Sequence, residues 1–395
     1  MQFTAQPKSK RDYFFSQPHQ PFFALGIVDA ILFMLLFIPA FRGLIATDAL
    51  YLHAFSMIFL IFTNFFYGFL YTTFPRFSGT EPIATRQYLV VVLLQALAAA
   101  TFLVGIWWQP GLYAAALFVA AGFGKTLQVF YRIYQRCTLP KRDQYWIIVA
   151  LGIGAMSDIL FLLSLVPCKC ATNVFFATAV GFGVYMYMFF LAFVVGFRMV
   201  PFFSHVMGYV APKWLHLAIL VLFTLHSFFS VSLPEALFVV DALAGALIVR
   251  ELIRMRLPFP NSEPLLWILH IALFWLGGGL LLGAIVEAFE VFGGWSSLYL
   301  PLHLVALGFL TTVLIGFGTR VTLGHSGNML RADRVTIWIF YFTQVVLLGR
   351  IVLSLAAAFG HISPFFDISA ALWIALFVWW MAKYFKVPAF GEKLA

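Results

Sequence analysis

The chain has 395 residues, 63% of them hydrophobic and only 10% charged. A water-soluble fold of this size could not cover its surface with so few charges, so lipid is the solvent for most of it. The net charge of +9 belongs to membrane topology rather than to a nucleic-acid footprint, because no polar domain exists to carry one.

The first twenty residues are polar and basic and lack the pattern of a cleaved signal peptide. Apolar runs of about 20 residues, the length that crosses ~30 Å of hydrocarbon, follow in order. They fall near 21–42, 50–74, 87–108, 111–134, 145–166 and 173–197, and then near 214–232, 234–252, 264–289, 299–319, 334–358 and 366–385. The reading is an all-α membrane protein of about twelve transmembrane helices, with residues 1–395 forming a single transmembrane domain. No connection is long enough to mark a domain boundary. Forty-eight Phe and eleven Trp suit lipid contact and the headgroup belt.

The 24 Lys and Arg divide unevenly over this map. Arg42, Lys169 and Arg350 fall on one side and Lys125 inside a helix, while all the others collect on the opposite side. By the positive-inside rule the rich side is cytoplasmic, which places both termini there.

An internal echo marks the cytoplasmic ends of spans two, six and ten. Gly68-Phe69 precedes Pro75-Arg76, Gly196-Phe197 precedes Arg198 and Pro201, and Gly316-Phe317 precedes Arg320. Recurrence at every fourth span is what three pseudo-repeated groups of four would give.

Depth sorts the nine histidines. His53 in span two and His303 in span ten each lie within about one turn of the outer end of their helix. Two imidazoles on two helices at one level can be the axial ligands of a haem. The alternative is a pair of interfacial histidines bonded to backbone or water. His226 in span seven is the one further histidine at compatible depth, as a metal ligand or as an interhelical donor. Asp29 and Lys125 lie at similar depth and are expected to pair, whereas Asp158 and Asp241 suit a proton path or a structural role.

Cys168 and Cys170 flank Lys169 in an outer turn. Two thiolates one residue apart can grip copper(I), but with no histidine beside them an unliganded turn is favoured. The spacing is one residue short of a c-type haem attachment, so any haem here is non-covalent.

Three segments resemble the NnrS family of bacterial membrane proteins. His303-Leu-Val-Ala-Leu-Gly-Phe through Thr319-Arg320-Val-Thr-Leu-Gly-His325-Ser-Gly327 is similar to the family's histidine segment running into its Thr-Arg-x-Ser-Leu-Gly-His-Thr-Gly motif. Pro21-Phe22-Phe23 resembles its opening, and Gly196-Phe197-Arg198-Met199-Val200-Pro201-Phe202-Phe203 resembles its Gly-Arg-x-Ile-Pro-Phe-Phe motif. The resemblance implies a twelve-helix protein of the bacterial inner membrane, associated with nitric oxide stress and carrying haem and copper. It also implies roles for His53, His303 and Met57 in cofactor binding, and for Arg198, Pro201, Arg320 and His325 as family-motif residues.

Span two departs from the family's Trp-His-Ala-His-Glu-Met pattern. Here it reads Leu52-His53-Ala54-Phe55-Ser56-Met57, so the first histidine and the methionine survive while the second histidine and the glutamate do not. The resemblance carries haem ligation over to His53 and His303, while the departures put a second metal beside span two, and with it copper, in doubt. Main subunits of haem-copper oxidases also hold a haem between histidines of helices two and ten, an analogy of placement. The leading expectation is a haem b protein that meets nitric oxide or related species, with quinol as a candidate electron donor and lipid as its surroundings. The rival is a cofactor-free, proton-coupled transporter of twelve helices, which would be expected to show two halves of six.

Overall fold

The computed structural model describes residues 9–166, 172–206, 208–261 and 263–394. Regular structure there is helical throughout, as lipid demands, since a helix satisfies its backbone polar groups within one segment. Cys168, Lys169 and Cys170 lie outside the described residues.

After a short helix Lys10–Phe14, twelve long helices follow the order expected from hydropathy. They are α1 His19–Phe41, α2 Ala49–Ser78, α3 Thr85–Gly105, α4 Pro110–Gln135, α5 Arg142–Ser164, α6 Asn173–Phe203 and α7 Leu215–Ser232. Next come α8 Leu237–Met255, α9 Pro264–Gly293, α10 Leu300–His325, α11 Arg334–Ala358 and α12 Ser363–Phe390.

Among the described residues, eleven of these helices are long and apolar enough to cross a membrane. The exception to the expected twelve is α8. Its 19 residues reach about 28 Å, but it carries Asp241, Arg250, Glu251 and Arg254. The last three gather in its final turns, where Arg254 donates to both carboxylate oxygens of Glu251 at 2.9 Å.

α2, α6 and α10 stand apart in three ways. The apolar runs end near 74, 197 and 319, yet the helices continue to Ser78, Phe203 and His325. An arginine stands within the first two residues of each overshoot, a side chain whose long stem lets a helix continue past the hydrocarbon. The apolar windows of these three helices are 67%, 89% and 83% buried, against 33–56% for the other candidate spans, so they are the internal helices and the rest face lipid more. Each also contains a π-helical stretch: Ser56–Phe62 in α2, Phe182–Phe189 in α6 and Ala306–Thr311 in α10. The echo at every fourth span in the sequence thus has a counterpart in burial and in backbone geometry.

The chain's contacts group it into two compact units. One comprises the chain up to Gln144 together with Gly318–Leu330 and Phe377–Ala395. Here α1 lies close against α2: a Cβ on Gly68 would come 2.7 Å from the Phe23 ring. Phe74 stacks on Phe130 at 4.3 Å, and Tyr71 donates to Thr126 at 3.1 Å. α2 stops where Gly79 takes a left-handed φ of +65° and Thr80 N–H bonds back to the Pro75 carbonyl at 3.0 Å, the capping geometry that glycine favours. Lys393 closes over the end of α10, its ammonium donating to the Ser326 and Gly327 carbonyls at 2.6 and 2.9 Å.

The other unit comprises Tyr145–Phe317 and Arg331–Leu376. α8 and α9 pack at glycine: a Cβ on Gly245 would come 3.0 Å from the Gly277 carbonyl oxygen, and one on Gly277 would come 2.8 Å from Val249 Cγ2. Small residues let membrane helices approach closely enough for dispersion to hold them. Trp275 Nε1 donates to Gln344 at 2.8 Å, and Gln344 donates to Thr312 at 3.2 Å, tying α9, α11 and α10 together.

Candidate functional site

The π-helical stretches locate the histidines. A π turn bonds residue i to i+5 and inserts an extra residue into the α ladder, a rare local distortion that concentrates at functional sites. His53 and His303 each stand three residues before such a stretch, which begins at Ser56 in α2 and at Ala306 in α10. Each is also within about one turn of its helix start, Ala49 or Leu300. The first residue after each stretch is a threonine whose hydroxyl donates five residues back: Thr63 to Ile58 at 2.7 Å and Thr312 to Leu307 at 3.1 Å.

His303 is half-buried, and its Nδ1 lies 2.8 Å from the Tyr299 carbonyl. A carbonyl only accepts, so this contact calls for a proton on Nδ1, the tautomer in which Nε2 is the nitrogen able to bind a metal. The turn that presents this carbonyl is unusual. Leu298 and Tyr299 both have left-handed backbones, at φ +53° and +61°, which costs an L-residue roughly 1–2 kcal/mol. Arg350 of α11 holds the turn, donating to the Leu298 carbonyl and to Ser354. The charge map puts Arg350 at the outer side; the fold buries it inside α11 beside His303, Nη2 to Nδ1 at 3.5 Å.

His53 belongs to the unit that holds α1 to α4, and His303 to the other. The His53 ring is half-buried and stacks on Phe37 of α1 at 4.3 Å, and Met57 is half-buried one turn further along α2. His53 stands against an aromatic ring and His303 beside a guanidinium, each on a helix distorted just beyond it. The neighbouring positions do not suit a second metal. Phe55 is fully buried with its ring stacked on Phe102 at 4.6 Å, and Ser56 Oγ donates to the His53 carbonyl at 3.2 Å.

His226 is buried in α7, and its Nδ1 lies 2.6 Å from Oδ1 of Asp241 in α8. Tyr185, within the π stretch of α6, stacks on the His226 ring with centroids 3.5 Å apart. Glu287 of α9 completes the cluster, so one ligand atom from each of His226, Asp241 and Glu287 lies within 4.8 Å of the others. Residue spacing singled out His226 and Asp241 only separately. That the three converge depends on how α7, α8 and α9 are rotated about their own axes.

The expected pair of Asp29 and Lys125 does not form. Asp29 is buried and accepts from Asn64 Nδ2 at 3.1 Å, while Lys125 bonds Gln128 one turn along its own helix at 2.9 Å. Depth alone left the helix faces undetermined, and a neutral amide already in reach satisfies the carboxyl. Asp158 is likewise buried, and its Oδ1 has no hydrogen-bond partner among the described residues.

The family-motif residues divide between the units. Arg198 and Pro201 sit in the last turns of α6, Arg198 half-buried and Pro201 buried, in the unit that holds α6. Arg320 and His325 lie in the other, where His325 Nδ1 is 2.9 Å from Gln17 Oε1 and its ring is 5.2 Å from that of buried His19. Gln17 and His19 are therefore partners of a family-motif residue that spacing missed. The signal available was their place beside Pro21-Phe22-Phe23, one of the three recognisable segments.

No curated protein matches the chain. The motifs of α1, α6 and α10 agree with the wider comparison: the NnrS protein family model matches residues 13–389, and the chain belongs to that family.

Proposed function

We propose that this chain is a haem b protein of the bacterial inner membrane that meets nitric oxide or related nitrogen species, with His53 and His303 as its iron ligands. The observation that carries the reading is the state of His303. Its Nδ1–H is committed to the Tyr299 carbonyl, and the partner histidine stands at the same register before a π stretch. Ferrous haem would supply one-electron exchange, for which quinol is the donor class available in the membrane, and would bind nitric oxide where one of the two histidines yields its place on the iron. The protein's part is to present two imidazoles, cover the His53 ring with Phe37, and hold the His303 turn with Arg350. Family membership supports the link to nitric oxide stress, and the bias of Lys and Arg supports cytoplasmic termini.

The test is a visible spectrum of the purified full chain after haem-replete expression, with haem counted chemically. A Soret band that shifts when nitric oxide is added to the reduced protein is expected, along with loss of haem in the His53→Ala and His303→Ala variants. A preparation without the band would refute the reading, as would full haem content in the double variant.

A further inference from the structure

Two carboxylates and an imidazole converge inside the unit that holds α6 to α9, and one of the carboxylates has an oxygen with nothing to bond. His226, Asp241 and Glu287 are 5%, 1% and 6% exposed. The imidazole and Asp241 satisfy each other at 2.6 Å, but Glu287 Oε2 is buried without a hydrogen-bond partner among the described residues. Leaving a buried carboxyl oxygen unbonded is expensive, and two acids this close cannot both ionise without more positive charge than one imidazole supplies. A divalent cation removes both difficulties at once.

We infer that His226, Asp241 and Glu287 form a binding site for a first-row divalent transition-metal ion, separate from any haem. The ligand type fits that class: imidazole excludes a preference for calcium or magnesium, and carboxylates complete a nitrogen and oxygen set without thiolate. The dimensions fit as well. Bonds of ~2.0–2.2 Å put ligand atoms about 3 to 4.2 Å apart around one ion, and the three ligand atoms already lie within 4.8 Å of one another. Small side-chain rotations close the difference.

The fold builds this site deliberately. Gly245 lies one turn from Asp241 on the same face of α8 and meets α9 at Gly277, drawing the two acid-bearing helices together. Gly181 lies one turn before Tyr185 in α6, and a Cβ there would come 2.9 Å from Ser227, the neighbour of His226. That close approach lays the Tyr185 ring over the imidazole and fixes its plane. Access is short. His226 and Glu287 are each about 9 Å of helix from the ends Ser232 and Gly293, and Asp241 is about 6 Å from the start of α8 at Leu237.

The full chain, purified in detergent and stripped with chelator, is equilibrated with Zn²⁺ or with Co²⁺ alone. One ion bound per chain is expected, with cobalt bands typical of nitrogen and oxygen ligands. X-ray absorption of the zinc-loaded wild type, which requires no variant, should resolve one imidazole and carboxylate oxygens in the inner shell. His226→Gln, Asp241→Asn and Glu287→Gln should each weaken binding by more than about 100-fold, the upper range for losing an outer-shell partner. Asp158→Asn, a buried acid of the same unit outside the cluster, should bind as wild type does. A wild type that binds neither ion, an absorption spectrum without imidazole, or cluster variants of undiminished affinity would overturn the inference. Haem iron is counted separately, so the outcome does not depend on the proposed function.

Discussion

Replacing Gly277 by alanine tests the glycine contact that assembles the acid cluster. A Cβ at this position would lie 2.8 Å from Val249 Cγ2, 3.2 Å from Ile248 Cγ2 and 3.2 Å from the Val249 backbone nitrogen. Carbon atoms pack comfortably at roughly 3.5–4.0 Å, so the shortfall at the Val249 methyl is about 0.7 Å. Valine is stiff about χ1 in a helix, and the backbone nitrogen can give way only if α8 moves. Overpacking of this kind costs about 1–3 kcal/mol. The next residue is a built-in control, because a Cβ on Gly278 meets nothing within 4 Å. Gly278→Ala should therefore recover the helix penalty of glycine, about 0.5–1 kcal/mol. The two variants have the same composition and share that helix gain, so they should be separated by the overpacking alone, roughly 1–3 kcal/mol. Reversible unfolding in mixed micelles, followed by circular dichroism, measures that gap. If Gly277→Ala proved as stable as Gly278→Ala, the close packing of α8 on α9 would be wrong, and with it the approach of Asp241 to Glu287.

Three further outcomes follow from the partners found in the fold. A double-mutant cycle between Asp29 and Asn64 should return a coupling of about 0.6 kcal/mol and no more than about 1.7, the span measured for interhelical hydrogen bonds in membranes. The same cycle between Asp29 and Lys125 should return less than roughly 0.5 kcal/mol, and a larger value would restore the ion pair. Trp380 Nε1 donates to Thr319 at 3.0 Å in the first unit, so Trp380→Phe and Thr319→Val should each cost around 1 kcal/mol in the same unfolding assay and should not add. Arg350→Met removes the guanidinium bonds to Leu298 and Ser354, a loss of about 1.5–3 kcal/mol for a charged donor. It should lower haem retention on dilution alongside stability, whereas unaltered retention would separate the Leu298–Tyr299 turn from the His303 ligand.

Hydropathy located the helices well because lipid leaves the backbone little choice: each apolar segment must bond within itself, so length and composition suffice. Its errors fall on particular residues. The ends of α2, α6 and α10 were placed short because Arg76, Arg198 and Arg320 lower hydropathy while their stems let the helix continue. α8 falls outside the apolar set for the charges it carries. The recurrence at spans two, six and ten was legible as a Gly-Phe echo, but the π stretches that give it structural substance were not, since nothing in a string of apolar residues signals an i to i+5 bond.

The sequence by itself determined the order and approximate limits of twelve helices, the depths of His53 and His303, and the family to which the motifs point. Only the tertiary structure decided which side chains meet. It gave Asp29 to Asn64 rather than to Lys125, set Arg350 beside His303, brought His19 and Gln17 to His325, and closed His226, Asp241 and Glu287 around one point. The reason lies in the solvent. A helix in water has a polar face that fixes its rotation, but one in lipid can be apolar all round. Depth can then be counted along the chain, while the direction each side chain faces is settled by glycines, π turns and packing against neighbouring helices.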